Sequence, residues 1–255
     1  MLKVENLYCG YNGNDIIKDI SFEAKSNEKI CIIGPNGCGK TTLLRAISGM
    51  LDYRGNVFVN GFELKSLSRK DISRNIALMP QLSSVYFGYS VYEAVALGRY
   101  VHSSGHLFSE LTMKDKDIVN ECLEKTGVID IKDKPITMLS GGQLQRVFLA
   151  RVFAQEPDII LLDEPTNHLD LKYQLELFEF INEWIKNNNR TVISVMHDIN
   201  IAVNYADSII LIDNGRIVFN NSSQSLLESG ELDKVYNTNV NDFMKKSFSI
   251  WEKAL

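Results

Sequence analysis

The chain has 255 residues, 45% of them hydrophobic and 23% charged, with a net charge of −5. That length suits one large domain or a core with a smaller lobe, and the composition is ordinary for a globular protein. The balance of 27 basic against 32 acidic residues argues against a nucleic-acid partner, which calls for a basic face; a nucleotide needs only local positive potential. No stretch approaches the apolar length of a membrane span. The start, MLKVENLYCGY, has no apolar signal core, which predicts residence in the cytosol. Cys9, Cys31, Cys38 and Cys122 are scattered without a C-x-x-C pair and read as reduced thiols.

Short strand-like runs fill the first quarter, over 2–8, 20–24, 29–33 and 57–60. Asn12-Gly13 and Asn60-Gly61 lie beside them as hairpin signals. The expectation is an antiparallel sheet edge around one nucleotide-binding strand. From Ser90 the pattern becomes helical. Ser90 and Glu93 have capping-box spacing, with Val91, Ala94, Val95 and Leu97 predicted on the apolar face. A second helix is predicted from Thr112, with Ile118, Val119, Cys122 and Leu123 inward. A third starts at Ser140 and carries Val147, Phe148 and Phe153.

After Pro157 three near-continuous apolar runs, 158–162, 191–195 and 208–212, read as parallel strands buried on both faces. Helical text over 172–186 separates the first two. Asp213-Asn214-Gly215 turns the chain into RIVFN, and a polar, helical tail follows from Ser222.

The run GPNGCGKT is Gly34, Pro35, Asn36, Gly37, Cys38, Gly39, Lys40 and Thr41, with Thr42 next. It matches G-x-x-x-x-G-K-[ST] and lies between an apolar strand and a helix start. Its glycines let backbone N–H groups curl around phosphate oxygens. Lys40 adds positive charge, Thr41 offers a hydroxyl to Mg²⁺, and the helix brings its positive end. A nucleotide with Mg²⁺ is therefore the expected ligand. Cys38, inside this loop, is expected to react with alkylating agents.

The run DIILLDEP ends in Asp163 and Glu164 just past a strand, where α/β sheets place ligands. Asp163 is a candidate Mg²⁺ ligand, and Glu164 a candidate base for the attacking water. His197 and Gln81 also follow apolar runs. The first is a candidate hydrogen-bonding partner near the terminal phosphate, and the second can touch Mg²⁺ or water. His102 and His106 have a metal-like spacing, but the Ser-Ser-Gly between them favours a loop over a metal site.

Together these motifs resemble the ATP-binding cassette (ABC) ATPase family over residues 2 to about 220. Gly34 to Thr42 resembles its Walker A loop, Gln81 its Q-loop, and Leu139 to Gln143 its LSGGQ signature. Ile159 to Glu164 resembles Walker B with the catalytic glutamate, Asn167 to Asp170 the D-loop, and His197 the switch histidine. Tyr11 sits where the family stacks an aromatic on adenine. The resemblance implies an α/β P-loop NTPase core with a mixed sheet, an antiparallel β subdomain and an inserted α-helical subdomain over about 86–155. A helical tail over 221–255 follows the ATPase domain of 1–220.

The resemblance also implies a head-to-tail pair. Ser140, Gly141, Gly142, Gln143 and Asp170 of one copy would close over ATP held by the other. Two consecutive glycines weaken a first helical turn by roughly 1 kcal/mol each, which close approach of a ligand justifies. VALGRY (95–100), TNHLDL (166–171) and MHDINIAVNYAD (196–207) resemble cassettes of importers for ferric siderophores, haem and cobalamin. Asn167 departs from the Ser frequent in that group. The implied partners are a second copy, a separate transmembrane permease and, indirectly, a substrate-binding protein, with the chain peripheral on the cytoplasmic side. In the family a permease helix docks near the Q-loop, where Tyr86, Phe87 and Tyr89 could line the groove. An exporter cassette with a separate permease, and a soluble ATPase that remodels a complex or nucleic acid, remain open alternatives.

Overall fold

A computed structural model describes residues 1–81, 88–102, 111–167, 169–186 and 189–252. Strands β1 (Leu2–Tyr11) and β2 (Asn14–Ala24) pair antiparallel. Strand β3 (Lys29–Ile33) then leads through a loop into helix α1 (Lys40–Ile47). Strands β4 (Tyr53–Val59) and β5 (Phe62–Glu63) complete a four-stranded sheet of order β2-β1-β4-β5. Helix α2 (Arg69–Asn75) and strand β6 (Ile76–Met79) precede three helices: α3 (Val91–Ala96), α4 (Met113–Lys125) and α5 (Gly141–Ala154).

The chain then alternates through β7 (Ile159–Asp163), α6 (Leu171–Lys186), β8 (Thr191–Val195), α7 (Ile199–Tyr205), β9 (Ser208–Asp213) and β10 (Arg216–Ser222). These strands join β3 and β6 in a second sheet of order β10-β9-β3-β8-β7-β6. Its pairings are parallel except for β10 against β9. Helices α8 (Ser223–Ser229), α9 (Glu231–Tyr236) and α10 (Val240–Glu252) follow. The expected mixed α/β core with an antiparallel sheet and a helical insertion is the observed architecture. No described helix is long and apolar enough to cross a membrane.

Turn chemistry sets the hairpins. Asn12-Gly13, Asn60-Gly61 and Asn214-Gly215 all have positive φ at both positions, as two-residue turns matched to strand twist require. In the second sheet, alternation divides the core in two. Ile30 and Ile32 of β3 face the first sheet and α1, whereas Cys31 and Ile33 face the helices. Both faces are apolar, which is why these strands read as continuous hydrophobic runs. Leu226, Leu232 and Val240 of the final three helices are buried in the helix-side core.

Capping boxes start α3, α4 and α5 at Ser90, Thr112 and Ser140, each with both reciprocal bonds. One expectation fails. Leu97 is 40% exposed, because α3 stops at Ala96 and the chain tightens into a 3₁₀ stretch over Leu97–His102. That stretch is pressed onto α5: a Cβ on Gly98 would lie 2.3 Å from the Arg151 carbonyl oxygen. Its next residue, Arg99, is buried and bonds to Asp115 at 2.8 Å, to Glu156 at 2.7 Å and to the Ala154 carbonyl at 2.7 Å. One guanidinium thereby ties together α4, the end of α5 and the turn after α3. Gln155 adds a second tie, donating to the Ser73 and Ile76 carbonyls at 2.6 and 3.0 Å.

Candidate functional site

The phosphate loop follows β3 and ends where α1 begins at Lys40. Gly34, Gly37 and Gly39 have φ of 148°, 79° and 110°, a path closed to most side-chain-bearing residues. A Cβ on Gly34 would lie 2.1 Å from the Ile212 carbonyl oxygen, so the loop rests directly on β9. Lys40 is 6% exposed, and its ammonium donates across the loop to the Gly34 and Pro35 carbonyls at 2.8 and 2.9 Å. The N–H groups of the first turn of α1 have no partners within the helix and remain available to an anion.

Beside the loop, the Thr41 hydroxyl donates to Asp163 Oδ1 at 3.2 Å. Asp163 is 2% exposed at the end of β7. Burial raises its carboxyl pKa, against the Thr41 hydrogen bond and the charges of Arg45 and Lys40; Glu164 adds to the rise. A hydroxyl and a buried carboxylate are the hard oxygen donors that Mg²⁺ prefers, and a cation would offset the unfavourable charge. The residues present fit a Mg²⁺–nucleotide complex.

Glu164 is the next residue and has φ of 57°, a conformation costing a non-glycine residue roughly 1–2 kcal/mol. Its N–H donates to the Val195 carbonyl at 3.1 Å. One carboxylate oxygen, Oε2, accepts from Gln81 Nε2 at 2.8 Å and from Asn167 Nδ2. The other, Oε1, pairs with His197 Nε2. An ionised carboxylate can only accept, so with Glu164 in that form His197 Nε2 would be the donor of the pair. Gln81, Glu164 and His197 come from the C-terminal ends of β6, β7 and β8, which are adjacent in the sheet. Parallel strands deliver all three to one edge.

Other candidates occupy separate positions. Tyr11 ends β1, is 40% exposed, and its hydroxyl accepts from Arg45 of α1 at 3.1 Å. Ser140 and Gln143 bond to each other's backbone at the start of α5, so the signature serine caps its own helix. Gly141 and Gly142 form the exposed and half-buried first turn of that helix. Asp170 accepts from the Tyr173 N–H at 3.1 Å and caps α6. Thr42 is buried in α1.

Cys38 corrects an expectation. It is only 6% exposed, and burial raises its thiol pKa against the opposing effect of Lys40, so it is poorly placed for alkylation. His102 bonds to the Gln155 carbonyl at 2.8 Å. His106, His168, Tyr86 and Phe87 lie outside the described residues, whereas Tyr89 is 41% exposed. Among the described residues there is no cluster of three or more metal-ligating side chains.

Two residues of the site were not anticipated in these roles. Asn167 holds the Glu164 carboxylate; its sequence signal is a turn-forming amide three residues past the acid. Gln145, in α5, is 3% exposed and donates to the Glu164 and Pro165 carbonyls at 3.1 and 2.7 Å. An amide within helical text gives no such signal.

The sequence model of the ABC transporter family matches residues 17–167. The chain belongs to the ABC transporter family. It is 35% identical over 236 residues to the iron(3+)-hydroxamate import ATP-binding protein FhuC of Bacillus subtilis (strain 168), covering 92% of this chain and 87% of that one. The ferric enterobactin transport ATP-binding protein FepC of Escherichia coli (strain K12) is 34% identical, with 92% and 86% covered. YvrA, an ABC transporter ATP-binding protein of Bacillus subtilis (strain 168), is 38% identical over 96% of this chain, which spans 56% of its length. Among solved structures, the dimeric ATP-binding cassette MJ0796 bound to ADP and Pi superposes with a TM-score of 0.79 at 26% identity, covering 88% of this chain and 99% of that one. Family membership and ATP-binding relatives make this ABC chain an ATPase subunit.

Proposed function

We propose that the chain is the ATP-hydrolysing subunit of an importer that takes up a ferric siderophore or a related metal chelate through a separate permease. The substrate class rests on similarity to relatives named for iron(3+)-hydroxamate and ferric enterobactin transport. The chemistry rests on one observation above all: a single carboxylate, Glu164, held by Gln81, Asn167 and His197 beside a phosphate loop.

In this reading Lys40 and the loop N–H groups hold the phosphates of ATP, and Tyr11 stacks on its adenine. Thr41 and Asp163, with Gln81, hold Mg²⁺, which when bound neutralises phosphate charge. Glu164 takes the proton of the attacking water, and its three donors fix where the carboxylate points. His197, released from Glu164, can donate Nε2–H to a phosphate oxygen. The backbone of Gly34 to Gly39, including Pro35, Asn36 and Cys38, forms the cradle, and Thr42 extends it into α1.

The second half of the site comes from a second copy. Its Ser140, Gly141, Gly142 and Gln143 stand at the N-terminus of a 14-residue helix, where Gly141 and Gly142, whose N–H groups lie outside the Ser140–Gln143 capping box, and the positive helix end face the terminal phosphate, with Asp170 adjoining. Residues 1–220 act as the ATPase unit and 221–255 as its tail, at the cytoplasmic face of the membrane. A cleft of about 390 Å³ lined by Arg69, Leu97, Tyr100 and Arg151 is a suitable seat for a permease helix, with a substrate-binding protein acting across the membrane.

The test is uptake of radiolabelled ferric hydroxamate and ferric catecholate chelates in cells with and without the chain. Uptake of at least one should stop on deletion and return with the parent chain. Normal uptake of every chelate, alongside intact ATPase activity of the purified protein, overturns the importer reading and leaves the enzyme assignment standing.

A further inference from the structure

Gln145 lies in the second turn of α5, two residues beyond the Gln143 that closes the capping box with Ser140. Its side chain is 3% exposed, yet it is not satisfied within its own helix. Instead Nε2 donates to two successive carbonyls, those of Glu164 at 3.1 Å and Pro165 at 2.7 Å. A carboxamide has two N–H donors, so one side chain serves both acceptors at once.

The segment it holds is the one that needs holding. Glu164 sits in the left-handed region, which its side chain disfavours and the surroundings must enforce. Its N–H is fixed by the Val195 carbonyl at the end of β8, and its C=O by Gln145. The peptide groups on either side of the Glu164 Cα are therefore clamped, one by the sheet and one by α5. Gln81, Asn167 and His197 then act on the carboxylate.

We infer that Gln145 is a positioning residue for ATP hydrolysis: it sets the direction of the Glu164 carboxylate and ties it to the start of the signature helix. The inference rests on Glu164 being the base. Because α5 carries Ser140 at its first turn, a shift of that turn reaches the base of the same chain through one side chain. Each copy in a pair thus reports contact at its signature to its own hydrolytic site. Nothing comparable is gained by placing an amide here for packing alone, since an apolar side chain would fill the same space.

Gln145→Met keeps the length and removes both donors. With the base misdirected by a fraction of an ångström, kcat should fall about 10- to 100-fold. The KM for ATP and the affinity for a fluorescent ATP analogue should stay within about twofold, because the phosphate loop is untouched. Gln145→Asn keeps the amide one methylene short and should give an intermediate kcat. If the Met variant does not fold, the Asn variant decides the matter by the same split. A parental kcat in a folded variant overturns the inference, as does a loss confined to nucleotide affinity. Glu164→Gln measured alongside separates the two readings: inactive Glu164→Gln with parental Gln145→Met rejects the positioning role only, whereas active Glu164→Gln rejects the base itself.

Discussion

Replacing Glu164 with Gln removes one charge and keeps the shape of the side chain, so its consequences can be worked from the bonds it makes. In the parent, Oε2 accepts from Gln81 and Asn167 while Oε1 pairs with His197. A carboxamide has one oxygen. Turned toward Gln81 and Asn167 it keeps both bonds, and its NH₂ then faces His197. Donor meets donor there unless the imidazole moves its proton from Nε2 to Nδ1, which a neutral ring can do. The structural loss is a charge-assisted set of bonds exchanged for a neutral one, costing about 1–2 kcal/mol. For a chain of this size that lowers Tm by about 2–8 °C.

The catalytic loss is larger. A positioned general base contributes about 10²- to 10⁴-fold, or about 3–5 kcal/mol of barrier. The variant should therefore fold, bind nucleotide and cease turnover. Phosphate release at saturating Mg²⁺–ATP measures the rate, and gel filtration with ATP measures whether an ATP-held pair accumulates. Turnover within about threefold of the parent refutes the assignment of the base.

Gly34→Ala and Gly37→Ala should separate sharply in thermal unfolding without nucleotide. The first drives a Cβ to 2.1 Å from the Ile212 carbonyl oxygen, a cost of about 2–5 kcal/mol and a Tm lower by about 5–15 °C. The second meets nothing within 4 Å and carries only the cost of φ 79°, about 1–2 kcal/mol; equal losses would contradict this contrast. Asp163→Asn should abolish Mg²⁺-dependent hydrolysis yet stabilise the Mg²⁺-free protein. Because burial raises the Asp163 pKa, the folded state binds that proton more tightly than the unfolded chain, and this contribution is lost as pH rises through the folded pKa. The Tm advantage of the Asn variant should accordingly grow from acid toward neutral pH, and an advantage that shrinks would reverse the sign. Asn167→Ala removes one of the two donors to Glu164 Oε2 and should lower kcat about 3- to 30-fold with ATP affinity unchanged; unchanged kcat would leave Asn167 a turn residue only.

Features with a local physical cause were legible in the sequence. Three Asn-Gly pairs fixed three hairpins because both positions need positive φ, and Ser90, Thr112 and Ser140 marked three helix starts that the structure closes with capping boxes. The phosphate loop and the acids at the end of β7 follow from residue types at fixed spacing next to apolar strands. Burial by tertiary packing was not legible. Leu97 has helical spacing, but a 3₁₀ turn pressed onto α5 rotates it into the open. Cys38 lies in a polar motif and is nevertheless covered. Gln145 and Asn167 act on partners 19 and 3 residues away through side-chain geometry, and an amide looks the same in sequence whether it faces water or a buried carbonyl.

Helix α5 is capped at one end and tied at the other, which has a mechanical consequence. Its 14 residues make a strut about 21 Å long. At the far end Arg99 bolts it to α4 and Gln155 bolts it to α2 and β6, so it cannot pivot there independently. The same hydrogen bonds therefore set where Ser140, at the other end of the strut, stands relative to α4, α2 and β6.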